Sequence, residues 1–306
     1  MLEKLIENEP LAKHTSWRIG GPARYYLEAT STDELCAGIA WGRERNLPLF
    51  LLGGGTNLLA RDSGFPGLVL RYRAQEWQID EQGADGRLYV AAGAPMAGTV
   101  RRVGGQGWGG LEWAEGLPGT IGGAIYGNAG CYGGDIASGL TRAWLLVNGA
   151  VEEWPVERFA FGYRRSILKS AAHQALNGDR SALPPVVLAA ELRLIRMDPD
   201  ELAATMARIA AERKTRTPWG RSCGSVFKNP PRLPGVGSAP SAGQLIDQAG
   251  LKGTRVGAVE ISRKHGNYIV NLGGATSDDL LRLIDLVRAA VLQQFGVELE
   301  LEVQIL

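Results

Sequence analysis

Cysteine is scarce in this 306-residue chain: there are three, Cys36, Cys131 and Cys223, widely spaced and without a CxxC pair. An odd, scattered set fits a reducing compartment and excludes a disulfide framework or a structural zinc site. Histidine is as sparse, and His14, His173 and His265 lack metal-ligand spacing, so no metal is expected. No apolar run reaches the ~18 residues of a membrane-crossing helix, and the opening MLEKLIENEPLAKHTSW has no apolar leader core. The formal charge of +1 offers no excess for nucleic acid or an anionic membrane. No internal repeat is visible. These absences predict a cytoplasmic protein.

Glycine is abundant, with 42 residues, while 45% apolar and 21% charged content are ordinary for a globular chain. Such glycine usage predicts tight turns and places where backbone approaches a ligand closely. The length predicts two or three domains. Ser31-Thr32-Asp33-Glu34 has capping-box form and predicts a helix to about Asn46, followed by a buried strand over Leu49–Leu52. Leu68–Leu70 and Leu88–Val90 read as further strands, so a small α/β unit ends near residue 75. Val186–Ile195 alternates as a strand, and Asp198-Pro199-Asp200-Glu201 starts a helix with Leu202, Met206 and Ile209 on one face. Beyond it come a short helix over Gln244–Asp247, a strand over Tyr268–Val270, and a helix capped at Thr276 and closed by Gly296. The tail Glu298–Val303 alternates strictly, which predicts a strand with three glutamates on one face.

Four constellations carry chemical possibilities. Gly53-Gly54-Gly55-Thr56-Asn57-Leu58 follows a strand and lacks the lysine of a P-loop; it is a diphosphate cradle or an ordinary strand-ending turn. Pro118-Gly119-Thr120-Ile121-Gly122-Gly123, followed by Asn128-Ala129-Gly130, is a second glycine-lined surface. Two such surfaces suit a dinucleotide better than a mononucleotide. In Phe161-Gly162-Tyr163-Arg164-Arg165 the arginines are either solvated or, for one fixed beside an aromatic, a carboxylate clamp. Gly224-Ser225-Val226-Phe227-Lys228-Asn229 is a tight turn or a hydroxyl set beside a cation and an amide. Cys131 reads as a packed residue and His14 as a loop residue rather than a covalent flavin attachment point.

In this order, with Thr15-Ser16-Trp17-Arg18-Ile19-Gly20-Gly21 before them and Leu301-Glu302-Val303 after, the motifs resemble the UDP-N-acetylenolpyruvoylglucosamine reductase family of peptidoglycan synthesis. Any one motif is weak; six in order are specific. The resemblance implies an α+β protein: a two-subdomain FAD-binding module of the vanillyl-alcohol-oxidase/PCMH type, then an α+β substrate-binding domain. The expected divisions are 1–75, 76–200 and 201–306. It implies NADPH-dependent reduction of UDP-N-acetylglucosamine enolpyruvate to UDP-N-acetylmuramate through noncovalently held FAD. By motif position Ser225 is the proton donor, with Arg164 and Glu302 stabilising the carboxylate and the enolic intermediate. FAD falls to Gly53, Gly54, Gly55, Thr56, Asn57, Leu58, Pro118, Gly119, Thr120, Gly122, Gly123, Asn128 and Gly130. The UDP-sugar falls to Tyr163, Arg213, Lys228, Asn229 and Gln244.

Only Arg196-Met197 separates the Val186–Ile195 strand from the Asp198 cap, so the chain resembles the short-loop (type II) branch. Gly127 stands where methionine is common, Thr217 where glutamine is common and Gly266 where alanine is usual. Residues 170–184 read as a surface insertion. Two rivals remain: an oxidase of the same fold acting on a small alcohol, and a non-catalytic FAD- or UDP-sugar-binding regulator.

Overall fold

The computed structural model describes residues 4–177, 183–231 and 240–306, and the chain divides into two compact units. One comprises Met1–Asn8, Arg24–Gly54 and Pro66–Glu212; the other comprises Glu9–Ala23, Gly55–Phe65 and Arg213–Leu306.

The first unit carries two sheets. A four-stranded sheet has the order Ile6–Pro10, Pro22–Ala29, Phe65–Tyr72, Leu49–Leu52, and the last two strands are parallel, with Leu49 opposite Leu68. A parallel pair needs a crossover connection. The helix Thr32–Glu44 precedes it and starts where predicted, the Ser31 hydroxyl accepting from the Glu34 N–H at 3.2 Å. Glu34 answers not at Ser31 but at Thr30, whose N–H donates to its carboxylate at 2.8 Å.

The second sheet is antiparallel, in the order Ala150–Pro155, Leu140–Val147, Val186–Arg196, Asp85–Ala91, Trp77–Gln82. Alternation places Leu88, Val90, Ala190, Leu192 and Leu194 inside while Tyr89 and Arg193 face out. Each fully buried leucine or valine contributes roughly 1.5–3 kcal/mol relative to exposure. The helices Met96–Gly104 and Ile121–Gly127 join the same core through Met96, Val100, Ile121 and Ile125. Glycine density concealed both from the sequence reading. The helix Ile167–Asn177 occupies part of the expected insertion; residues 178–182 lie outside the described residues.

The second unit packs the helices Ala242–Gln248 and Ser277–Phe295 with a three-stranded sheet, Arg255–Val256, Val259–Ile261 and Ile269–Asn271. Its core includes Trp17, Phe227, Ile246, Ile261, Ile284 and Val287. Trp17 is sealed in: its Nε1–H donates to the Ile269 carbonyl, and Asn271 Nδ2 donates to the Trp17 carbonyl, both at 2.8 Å. The long helix has a full capping box between Thr276 and Asp279 and ends on left-handed Gly296, as its sequence predicts.

The C-terminal tail corrects one expectation. Glu298–Val303 is not a continuous strand; only a bridge at Leu301 and the short strand Gln304–Ile305, parallel to Leu58–Leu59, form there. The alternation still sorts side chains, since Leu299 and Val303 are buried and Glu298 and Glu300 are exposed. What is missing is a neighbouring strand long enough to complete the ladder.

Candidate active site

In the first unit Gly53 meets the second glycine surface. A Cβ placed on Gly53 would stand 3.2 Å from Thr120 Oγ1 and 3.9 Å from the Cα of Gly123. One on Gly122 would press on Ala92 Cβ at 3.0 Å. The segment is pinned by Met96 N–H to the Gly119 carbonyl at 3.0 Å, Ile121 N–H to Ala94 at 3.0 Å and Gly122 N–H to Ala92 at 2.9 Å. Thr120 caps the helix Ile121–Gly127 by accepting from the Gly123 N–H at 3.2 Å. Pro118 and Gly123 are exposed and Gly119, Thr120 and Gly122 half-buried, so bare backbone stays presentable to a ligand. Gly130 pairs with Asp135 in a small hairpin, and the Cys131 thiol donates to the Trp113 carbonyl at 3.0 Å, the packed role expected of it.

Asn128 makes hydrogen bonds within the protein. It is 5% exposed and left-handed (φ 43°), and its side chain points into the protein. Nδ2 donates to the Gly162 carbonyl at 3.0 Å, and Oδ1 accepts from the Ala137 N–H at 3.0 Å. Gly162 opens the turn that presents Arg164, closed by reciprocal Gly162–Arg165 backbone bonds of 3.1 Å. A second tie comes from the buried Ser166, whose hydroxyl donates to the Tyr126 carbonyl at 2.6 Å. Arg164 itself is left-handed (φ 55°), an uncommon state for a non-glycine residue. It is half-buried, with its guanidinium carbon 5.5 Å from the centre of the Tyr163 ring, whereas Arg165 is exposed.

The second unit joins Ser225 to Glu302. Gly224 is left-handed (φ 76°), Ser225 is half-buried, and Val226 and Phe227 sink into the core. The Val226 carbonyl accepts from the Glu302 N–H at 2.9 Å, and Lys228 N–H donates to the Glu300 carbonyl at 2.9 Å. Ser225 and Glu302 therefore ride on adjoining backbones. Asn57 reaches the same place, its Nδ2 donating to the Glu302 carbonyl at 3.1 Å. Leu58 is buried in its strand, and Gly55 closes against the Ser16 N–H at 2.9 Å. Thr56 is half-buried. Cys223 anchors the loop from below, and burial pushes its thiol up to about 11.

The expected UDP-sugar residues have internal partners as well. The Lys228 ammonium pairs with Glu300, and Asn229 Oδ1 accepts from the Ala242 N–H at 3.1 Å. Gln244 completes a capping box, its Oε1 accepting from the Ser241 N–H at 2.8 Å. Arg213 is half-buried near the end of the helix Pro199–Arg216. The sequence reading passed over Asn267, although HGNYIVN sets an amide directly before a strand.

The chain is 55% identical over 303 residues to the UDP-N-acetylenolpyruvoylglucosamine reductase of Chloroflexus aggregans, covering 99% of this chain and 97% of that one. The chain belongs to the UDP-N-acetylenolpyruvoylglucosamine reductase family. The corresponding reductase of Rubrobacter xylanophilus is 41% identical over 298 residues, 97% of this chain and 94% of its own. The crystal structure of the reductase from Thermus caldophilus matches with a TM-score of 0.78 at 33% identity, over 98% of this chain and 97% of that chain. The family model for the reductase C-terminal domain matches residues 215–306, and an FAD binding domain model matches residues 23–147.

This member of the reductase family has the expected α+β architecture, with an FAD-binding domain matched over residues 23–147. The first unit's residues fit such a group, because Gly53 and Thr120 leave an approach that any Cβ on Gly53 would narrow. The departures noted in the sequence have local explanations. A Cβ at Gly127 would meet nothing within 4 Å, so no neighbour requires glycine there. At Gly266 an alanine Cβ would stand 2.6 Å from the Gly243 carbonyl oxygen, so the helix Ala242–Gln248 lies too close for it. The Thr217 carbonyl accepts from the Lys264 ammonium at 2.9 Å through backbone alone, a bond that leaves the side chain unconstrained.

Proposed function

We infer that this chain is an FAD-dependent oxidoreductase that reduces UDP-N-acetylglucosamine enolpyruvate to UDP-N-acetylmuramate, a step in peptidoglycan precursor synthesis. The observation that carries the reading is identity across nearly the whole chain to reductases of this one activity. NADPH is the hydride donor, and the enzyme works in the cytoplasm as a monomer. The FAD-binding subdomains are residues 1–75 and 76–200, and the substrate-binding domain is 201–306.

FAD, when bound, supplies hydride-transfer chemistry that no side chain offers. Gly53, Gly54, Gly55, Thr56, Asn57 and Leu58 hold it together with Pro118, Gly119, Thr120, Gly122, Gly123 and Gly130. Asn128 serves that site through the backbone it shapes. Reduction of the enolpyruvyl double bond builds negative charge toward the carboxylate, and a fixed guanidinium at Arg164 stabilises it. Glu302 shares this task, which requires its carboxyl group to donate a hydrogen bond to the enolic oxygen. Ser225 delivers the proton that completes the reduction. A hydroxyl is a feeble acid in water, so it needs the fixed, partly desolvated setting between Gly224 and Val226. Lys228, Asn229, Tyr163, Arg213 and Gln244 hold the UDP-sugar.

The test is an anaerobic visible spectrum of the purified protein, taken before and after NADPH and again after the enolpyruvyl UDP-sugar. Flavin bands that bleach with NADPH and return with the sugar are expected. A protein that stays colourless when given FAD, or flavin that bleaches without recovery, overturns the reading.

A further inference from the structure

The backbone that follows Ser225 is held by one buried side chain. Asn267 is 4% exposed; its Oδ1 accepts from the Phe227 N–H at 2.9 Å and its Nδ2 donates to the Phe227 carbonyl at 2.8 Å. Its own carbonyl accepts from the Val226 N–H at 2.9 Å. The amide thus pairs with Phe227 as a neighbouring strand would, where no strand runs. On its opposite side, Val226 accepts from Glu302 at 2.9 Å. Asn267 is in turn oriented by His265, whose Nδ1 accepts the Asn267 N–H at 3.2 Å. Only a short side chain with both a donor and an acceptor can make this pairing; aspartate keeps the acceptor, and alanine keeps neither.

We propose that Asn267 is a positioning residue for proton delivery by Ser225, a role that rests on Ser225 being the proton donor. Upstream of Ser225 stands Gly224, left-handed, where an added Cβ would meet nothing within 4 Å. Gly224 itself adds no side-chain restraint, and the nearest upstream anchor is buried Cys223, two residues away. Next to the hydroxyl, on its downstream side, the backbone is fixed by the clamp made by Asn267 and the Glu302 backbone. Reacting groups displaced by about 1 Å lose about 100-fold in rate, so slackening this clamp falls on proton delivery and not on flavin reduction.

The experiment compares Asn267→Ala, Asn267→Asp and Ser225→Ala holoenzymes with the parent in stopped-flow half-reactions, with deuterium exchange on the peptide spanning 221–229. Asn267→Ala is expected to retain flavin and to be reduced by NADPH within about twofold of the parent. Its reoxidation by the enolpyruvyl sugar is expected to slow by roughly 10- to 100-fold, with a larger solvent deuterium isotope effect. Exchange at Val226 and Phe227 should rise, and Asn267→Asp should fall between parent and alanine. Should Asn267→Ala not fold, Asn267→Asp carries the same comparison. Reoxidation of the Asn267 variants at the parent rate, with Ser225→Ala slowed, overturns the positioning role alone. Parent-rate reoxidation of Ser225→Ala overturns the proton-donor assignment, and the positioning role with it.

Discussion

Asn128 donates from Nδ2 to the carbonyl oxygen of Gly162 at 3.0 Å, so the residue that closes one helix also holds the turn presenting Arg164. The same side chain accepts from Ala137, and its backbone is left-handed. Asparagine suits all three demands, because it tolerates that conformation better than other side chains. Asn128→Gly removes the bonds without adding strain, whereas Asn128→Ala removes them and adds about 1 kcal/mol of strain. Both should lower turnover about 10-fold or more through the loosened Arg164 turn. Thermal melts should place alanine below glycine. Equal turnover in parent and both variants would show that the Arg164 turn holds itself.

The Gly53–Thr120 approach predicts a defect in flavin retention. In Gly53→Ala the new methyl would lie 3.2 Å from the Thr120 hydroxyl, tight enough to move one side or the other. The variant should fold, because Gly53 is only half-buried and not left-handed. Its flavin affinity should fall roughly 10-fold, equivalent to about 1.4 kcal/mol. The flavin-to-protein absorbance ratio after gel filtration reads this directly, and full retention would separate Gly53 from the cofactor.

Gly266→Ala tests the packing of the helix Ala242–Gln248. The methyl would stand 2.6 Å from the Gly243 carbonyl oxygen and 3.3 Å from Ile246 Cβ. Overpacking of this kind costs about 1–3 kcal/mol, so the melting temperature should drop by several degrees. An unchanged melt would mean that the helix shifts at no cost.

His265 links this region to pH. Burial holds its imidazole below the ordinary range, with the positive charges of Lys252 and Arg216 adding to the effect. Its Nδ1 accepts from Asn267, and its ring meets Tyr268 edge-on at 4.8 Å. With the folded value depressed, the unfolded chain takes the proton first as pH falls. The stability is complete above the unfolded value of about 6.5 and is lost as pH drops through the folded value. Denaturant midpoints measured across that window should fall toward acid, and His265→Gln should flatten the slope. A parent slope that matches the variant's would remove His265 as its source.

Much of the fold was legible because capping and periodicity are local. Ser31, Asp198 and Thr276 begin helices, and Gly296 ends one, by chemistry contained within a few residues. The helices Met96–Gly104 and Ile121–Gly127 were not legible, since glycine weakens the apolar pattern that core contacts then override. For the site, the motif order identified the family, while the half-burial of Arg164 beside exposed Arg165 is set by the fold and not by a local pattern. Asn128 likewise takes partners that its motif does not encode, the Gly162 carbonyl and the Ala137 N–H.

The sequence by itself determined which residues could carry the chemistry, because a hydroxyl, a guanidinium or a bare glycine backbone is a property of residue type. It also determined the major helix ends and the alternation of the long strands. Tertiary structure alone decided which buried polar side chains bond to residues remote in sequence. The bonds from buried Asn267 to Phe227 and from buried Asn128 to Gly162 join residues 40 and 34 positions apart. No local pattern encodes such pairs, because the free energy that selects them arises only when the core forms and leaves buried polar groups no other partner.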